Sequence, residues 1–293
     1  MSRRFAGRGG PGRRSGRFGG NGTIARWSAA LLLIAGTPIA TAAQLRPLEP
    51  LEWAVFEPST RMIARAGFAA LLDQRASFAG TRGSLGGVGN LAAAWRSGRI
   101  AIEAGGTIRR IFEDETRYAE AHPTVRDEGP RRTDSGDFNI GTVVRLTPDD
   151  RPARLAPRFG TRLPNSDDEI GLDRDRTDFY ALLGGRVRHH ALHVAGEAGI
   201  GIFGTHDPEF EQADPLLYSL SAGYALGALS VHSHYLGHRA GFGGWVQRGS
   251  ESRSELRLGA AVGGRYRLRL EHVRGLAAHS PSRGWRLDLT GTR

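Results

Sequence analysis

Apolar and polar residues alternate along the chain from about Gly67 to the C-terminus. Segments of about ten residues have an apolar side chain at every second position, and the connections between them are short and long in turn. Membrane β-barrels have this pattern, because one face of each strand meets lipid and the other meets the lumen, while tight turns and long loops lie at opposite ends. The pattern therefore predicts a transmembrane barrel.

The segment from Arg265 to Glu271 indicates what each face contacts. Tyr266, Leu268 and Leu270 lie on one face, and every alternate position is charged. Charges at every second residue cannot all be buried in a dry core, because an unpaired buried charge is very costly. We therefore expect the charged face to meet water and the apolar face to meet lipid.

The same alternation predicts about twelve strands. They lie near residues 62–72, 85–95, 99–109, 138–144, 155–159, 179–187, 192–200, 217–226, 229–237, 256–262, 265–271 and 285–289. An even number brings both termini to one end, which is periplasmic in bacterial barrels. The predicted fold is all-β, an antiparallel up-and-down barrel with periplasmic N- and C-termini. A soluble β-sandwich or barrel is the alternative.

Connections and aromatic residues complete this prediction. Long loops are expected at 73–84 and 110–136, and tight turns at 188–190, 226–228 and 263–264. Aromatic residues mark the two membrane interfaces of barrels. The expected members of these belts are Trp95, Tyr180, Tyr218, Tyr224, Tyr235, Tyr266 and Trp285.

The N-terminal residues have the three parts of a secretory signal. An arginine-rich segment precedes the short apolar run 28–40, and small residues follow, with cleavage expected after Ala42 or Ala43. An anchor helix or a basic tail is the alternative. The predicted organisation is a cleaved signal at 1–43, a periplasmic lead-in at 44–61 and a barrel at 62–293.

The formal charge of +10 would by itself suggest a nucleic-acid partner. Much of the excess, however, comes from arginines before residue 27, and the remainder is only slightly basic. We therefore predict no nucleic-acid partner. The chain has no cysteine, which excludes disulfides and thiolate metal sites, and no motif indicates a cofactor.

The predicted lumen face is rich in arginine. Its candidate selectivity residues are Arg99, Glu103, Arg145, Arg158, Arg186, Glu197, Arg257, Arg265, Arg267, Arg269, Glu271, Arg286 and Asp288, with Arg109, Arg154, Arg162 and His193 on the same face. A water-filled passage with this lining would favour anions. Alternatively, the arginines pair with the lumen acids and fill the interior.

An acidic loop precedes the sixth predicted strand. Asp167, Asp168, Glu169, Asp173 and Asp175 are spaced closely enough to form a weak Ca²⁺ site. Their spacing does not fit the EF-hand pattern, and Arg174 and Arg176 lie among them. A solvated, self-paired outer loop is the favoured interpretation.

Residues 159–173 read Phe-Gly-Thr-Arg-Leu-Pro-Asn-Ser-Asp-Asp-Glu-Ile-Gly-Leu-Asp, and Thr-Asp-Phe follows at 177–179. This stretch resembles uncharacterised bacterial outer-membrane barrels that are similar to the transporter family linked to the MetA pathway of phenol degradation. The resemblance implies passage of small molecules, aromatic ones among them, through the outer membrane. It implies no catalytic residue.

An outer-membrane lipid hydrolase is the less favoured function. Barrel enzymes of that class resemble one another in a His-x-Ser element, in which histidine activates serine. Here Ser233 directly follows His232, so the two side chains are expected on opposite faces of a strand. His232 and His234 share a face, but the sequence places no third metal ligand beside them.

These observations predict a non-enzymatic barrel of the bacterial outer membrane. The predicted role is a passive channel or uptake protein for small, anionic or aromatic solutes; the alternative is a structural or interaction barrel with a plugged lumen. The expected partners are outer-membrane lipid, lipopolysaccharide and the barrel assembly machinery, and the solute is unspecified.

Overall fold

The structure is a computed structural model that describes residues 56, 60–148, 150–173, 175–204, 214–240 and 252–293. The predicted signal and most of the lead-in lie outside these residues. Its strands are β1 Met62–Ala76, β2 Thr81–Ser97, β3 Ile100–Arg117, β4 Arg131–Asp134, β5 Phe138–Val144, β6 Ala153–Leu163, β7 Asp178–His189, β8 Leu192–Phe203, β9 Leu216–Leu226, β10 Leu229–Arg239, β11 Arg253–Gly263, β12 Tyr266–Gly275 and β13 Arg283–Thr292. No helix in the described part of the chain is long and apolar enough to cross a membrane.

Antiparallel pairing closes the strands into a barrel. Neighbours pair in chain order, β13 pairs with β1, and β2 pairs with both β1 and β3. β5 pairs with Ile100–Gly106 of β3, whereas the short β4 pairs only with Arg110–Glu113 farther along the same strand. The barrel therefore has twelve strands, as predicted, and β4 extends its wall beyond one end.

The two ends of the barrel differ in their connections. Two-residue turns 98–99, 190–191, 227–228 and 264–265 lie at one end, here called the short-turn end. The backbone N–H of Arg61 donates to the carbonyl of Arg293 at this end, with an N···O distance of 2.7 Å. Both ends of the barrel domain thus meet at the short-turn end.

At the opposite, long-loop end, the predicted loop 73–84 was wrong, and the predicted loop 110–136 is shorter than expected, with a long connection only at 118–130. Residues 73–84 form no long loop, because β1 and β2 continue to a short connection at 77–80, and β3 continues to Arg117. Buried Phe112 packs in a cluster with Ala76, Ala79 and Leu85, which stabilises these extensions. The extended parts of these strands were not predicted from the sequence, because the alternation of apolar and polar residues is interrupted inside the strands.

Gly89 marks one such break. Its backbone has φ +69°, and on β2 both Leu85 and Asn90 are buried although they have opposite parity. On β3 the opposing residues Thr107 and Arg110 are likewise both buried. The inward face therefore changes from one set of alternate residues to the other at this level.

A Gly89→Ala variant tests this break. The left-handed backbone costs a non-glycine residue about 1–2 kcal/mol, and the new Cβ would lie 2.8 Å from Cδ1 of Ile108. We expect the free energy of unfolding, measured by urea titration in lipid vesicles, to fall by at least that amount. Gly98→Ala is the control, because Gly98 also has positive φ but a Cβ there would meet nothing within 4 Å. Equal losses would show that the Ile108 contact contributes nothing.

The barrel is apolar outside and charged inside. Large apolar side chains are exposed on every barrel strand, for example Phe68, Leu183, Leu268 and Leu287. Buried positions include many arginines, aspartates and glutamates. Water-soluble proteins have the reverse arrangement, so this distribution matches a sheet that faces lipid outward. Tyr180, predicted for an interfacial belt, is instead buried and faces inward, because it alternates with the exposed Phe179 and Ala181.

Candidate functional site

The structure places most of the predicted lumen residues inside the barrel. Buried side chains are Glu103, Arg145, Arg158, Glu197, Arg257, Arg269, Glu271, Arg286 and Asp288, together with Arg162; Arg154, Arg186, His193 and Arg267 are half-buried. Arg99 and Arg265 are exposed, because they lie in two-residue turns at the short-turn end. Arg109 is also exposed, and Arg110 is buried in its place, because of the face change at Gly89.

Three strands contribute a buried ionic group, the Arg158 cluster of Glu103, Arg158 and Glu197. Arg158 Nε donates to Glu103 Oε1, and Arg158 Nη1 donates to both Glu197 oxygens at 2.9 and 3.2 Å. Ser219 Oγ donates to Glu197 Oε1 at 3.2 Å. All three charged side chains are at least 96% buried. The cluster joins β3, β6 and β8 across the inner face of the wall.

Apolar side chains also occupy the interior. Tyr180, Leu182, Leu217 and Leu236 form a buried cluster on β7, β9 and β10. Gly160 makes room for the tyrosine, because a Cβ there would lie 2.5 Å from its hydroxyl oxygen. This apolar cluster was not predicted; glycine on the strand next to an inward tyrosine is the signal that indicates it.

A second ionic group lies near the long-loop end. Arg162 Nη1 contacts Asp137 at 2.6 Å and Asp173 at 3.1 Å, and its Nη2 contacts Asp178 at 2.7 Å. Arg110 contacts the other oxygen of Asp173 at 2.9 Å. Asp173 therefore bridges two arginines of the wall and ties its loop to β3 and β6.

Two buried carboxyls just outside the barrel strands belong to the same region. Burial raises the pKa of Asp137, and the neighbouring Asp173 carboxylate raises it further, whereas Arg162 lowers it. Burial also raises the pKa of Asp134, and Arg110, at 3.0 Å, opposes this effect. Arg110 and Arg162 thus offset part of the desolvation cost of the charged carboxylates at these poorly hydrated positions.

The acidic loop folds onto its own neighbours. Asp167 Oδ1 accepts from the backbone N–H of Glu169 at 3.0 Å and caps the short 3₁₀ turn Asp168–Ile170. Glu169 pairs with Arg126, and Asp168 lies 3.9 Å from Arg176. Arg176 Nη1 also donates to the Asp175 carbonyl at 2.6 Å. These contacts agree with the self-paired interpretation, and Ca²⁺ binding by the loop stays a prediction.

The interior opens into a cavity of about 380 Å³ near the short-turn end, here called the vestibule. Its charged or titratable lining residues are Arg186, Arg188, His193, His232, His234, Arg267 and Arg269. Ser219, Ser221, Ser230 and Thr292 add hydroxyl groups. None of the described residues that line it is acidic. The vestibule is therefore an electropositive, hydrogen-bonding compartment.

Two histidines of the vestibule approach a glutamate. His232 Nε2 lies 2.8 Å from Glu271 Oε1, and His234 Nε2 lies 3.5 Å from the same oxygen. Ser233 pairs in register with the exposed Leu258 and so lies on the outer face, opposite to His232. The two residues therefore do not form a nucleophile–base pair.

The sequence matches no protein-family model and no curated protein. Among solved structures, an outer-membrane channel from Pseudomonas putida F1 aligns with 86% of this chain and 100% of its own, at 13% identity and a TM-score of 0.56. The chain has the fold of an outer-membrane β-barrel. A porin covers 80% of this chain and 100% of its own at 10% identity and a TM-score of 0.36. The translocator domain of the autotransporter NalP from Neisseria meningitidis covers 80% and 89% at 11% identity and a TM-score of 0.42. The Pseudomonas putida channel alone confirms, at the level of fold, the resemblance predicted from residues 159–179.

Proposed function

We propose that this protein is an outer-membrane channel or uptake protein for small solutes, with a preference for anions. The vestibule carries the proposal, because arginines and histidines line it and no described lining residue is acidic. Such a compartment concentrates anions and offers hydroxyl donors to them. The Pseudomonas putida protein of similar fold is described as a channel.

Export by a signal at residues 1–43 belongs to the same proposal. The short-turn end, with its tight connections, would then face the periplasm and the long loops would face outward. Lipid and lipopolysaccharide would contact the apolar exterior, and the barrel assembly machinery would insert the chain.

A barrel with a plugged lumen is the second candidate. The buried Arg158 cluster and the cluster around Tyr180 both occupy interior space. In this case the long outer loops, rather than the lumen, would carry the function.

Conductance in planar bilayers separates the two candidates. We expect the purified barrel to give discrete channel events. Under a KCl gradient, we expect the reversal potential to lie closer to the equilibrium potential of chloride than to that of potassium. Arg186→Glu combined with Arg267→Glu is expected to reduce or reverse this preference, because it replaces vestibule cations by acids. Arg131→Glu, an exposed position on β4, is the control and should leave selectivity unchanged. A folded barrel without channel events would favour the plugged candidate.

A further inference from the structure

The side chains of His232, His234 and Glu271, here called the His–His–Glu triad, meet on the inner wall of the barrel. Their ligand atoms all lie within 4.8 Å of one another. Within the described part of the chain, no hydrogen bond reaches either ring nitrogen of His234, and its side chain is only 12% exposed. Both histidines line the vestibule, so the triad can be reached from the cavity.

The strand register explains why the three side chains meet. His232 and His234 are two residues apart on β10, so they share a face. His232 pairs with Gly259 on β11, and Gly259 pairs with Glu271 on β12. His232, Gly259 and Glu271 therefore lie in one row across the wall, and Gly259, in the middle, has no side chain.

Gly259 provides the gap that brings the histidine and the glutamate together. A Cβ at this position would lie 2.8 Å from Nε2 of His232 and 2.8 Å from Cγ of Glu271. Any other residue would thus force the two ligands apart. A side chain from β11 would otherwise separate residues on β10 and β12.

We propose that the His–His–Glu triad binds a divalent transition-metal ion, with Zn²⁺ as the reference ion. Two imidazoles and one carboxylate are a common three-ligand set for zinc, and an open fourth position remains for water or solute. At zinc–ligand distances of about 2.0–2.2 Å, tetrahedral ligand atoms lie roughly 3.3 Å apart. The separations of 2.8 and 3.5 Å from Glu271 Oε1 bracket this value.

Nearby arginines shape the proposed site. Arg286 Nε lies 3.8 Å from the second oxygen of Glu271, and this orients the carboxylate while Oε1 faces the histidines. Arg257 and Arg269 also act electrostatically on Glu271. Their charge opposes a cation, so we expect weaker binding than at a closed structural zinc site. The same charge favours an anion at the open position.

Metal titration of the purified, untagged full-length barrel tests the proposal. After treatment with EDTA and dialysis, we expect calorimetry to show one Zn²⁺ bound per chain. Co²⁺ should give visible absorption bands of a nitrogen- and oxygen-ligated ion, since the chain contains no cysteine. His234→Ala removes one ligand and leaves the His232–Glu271 contact in place. It is expected to lower the affinity for both Zn²⁺ and Co²⁺ at least about tenfold, and His232→Ala should do the same.

Two controls make the result specific. His193→Ala changes another vestibule histidine, and His189→Gln with His190→Asn removes the exposed adjacent pair at the short-turn end; both should retain wild-type affinity. A heat-modifiable gel shift verifies that each variant is folded. Absence of stoichiometric binding to the wild type, or wild-type affinity in folded His234→Ala, would overturn the proposal. Neither outcome depends on whether the barrel conducts.

Discussion

Arg158→Met is expected to lower the free energy of unfolding of the barrel by about 3–5 kcal/mol. The substitution removes the cation that contacts Glu103 and Glu197, and both carboxylates are almost fully buried. Ser219 still donates to one oxygen of Glu197, but no hydroxyl can replace a guanidinium between two acids. Urea titration of the barrel in lipid vesicles measures the loss.

A compensated variant distinguishes charge from packing. Adding Glu103→Gln and Glu197→Gln to Arg158→Met removes all three charges and is expected to recover most of the lost stability, because the cost arises from unpaired buried charge. Arg188→Met, at an exposed position, should change stability little. A loss of the same size in the triple variant would show that the arginine acts mainly through its volume.

The alternation of side chains was sufficient to predict the barrel and most of its inner face. It works because the side-chain period in a strand is two, so Leu268 and Arg269 must face opposite media. It failed where the backbone interrupts that period. At Gly89 the inward face changes, and as a result Arg110 rather than Arg109 is buried.

Contacts between strands could not be predicted in the same way. The pairing of Arg158 with Glu103 and Glu197 joins residues 55 and 39 positions apart, and a periodicity carries no information about such pairs. The contacts of the His–His–Glu triad could not be predicted from periodicity either. Its two histidines are visible in the sequence, but Glu271 joins them only through the register of β10, β11 and β12. Gly259 between them gains a meaning only when that register is known.

Leu287→Arg is expected to lower the free energy of unfolding in lipid by about 2–4 kcal/mol. Leu287 lies near the middle of β13, is 42% exposed, and pairs with two other exposed apolar residues, Phe68 and Leu270. In lipid, an arginine there must be desolvated or must draw water and headgroups into the bilayer. In a water-soluble barrel the same substitution would be almost neutral, since exposed surface positions tolerate charge.

The position of the substitution along the strand makes this result decisive. Leu229→Arg places the same charge at the first residue of β10, next to the two-residue turn at the short-turn end, where the expected loss is only about 0–1 kcal/mol. Leu287→Ala measures the lost apolar contact without a charge. A loss that is large only for Leu287→Arg requires a hydrocarbon layer around the middle of the strands. Equal and small losses at both arginine positions would instead place water against the apolar face. That result would contradict the membrane barrel and, with it, a role of the arginine-lined vestibule in transport across a membrane.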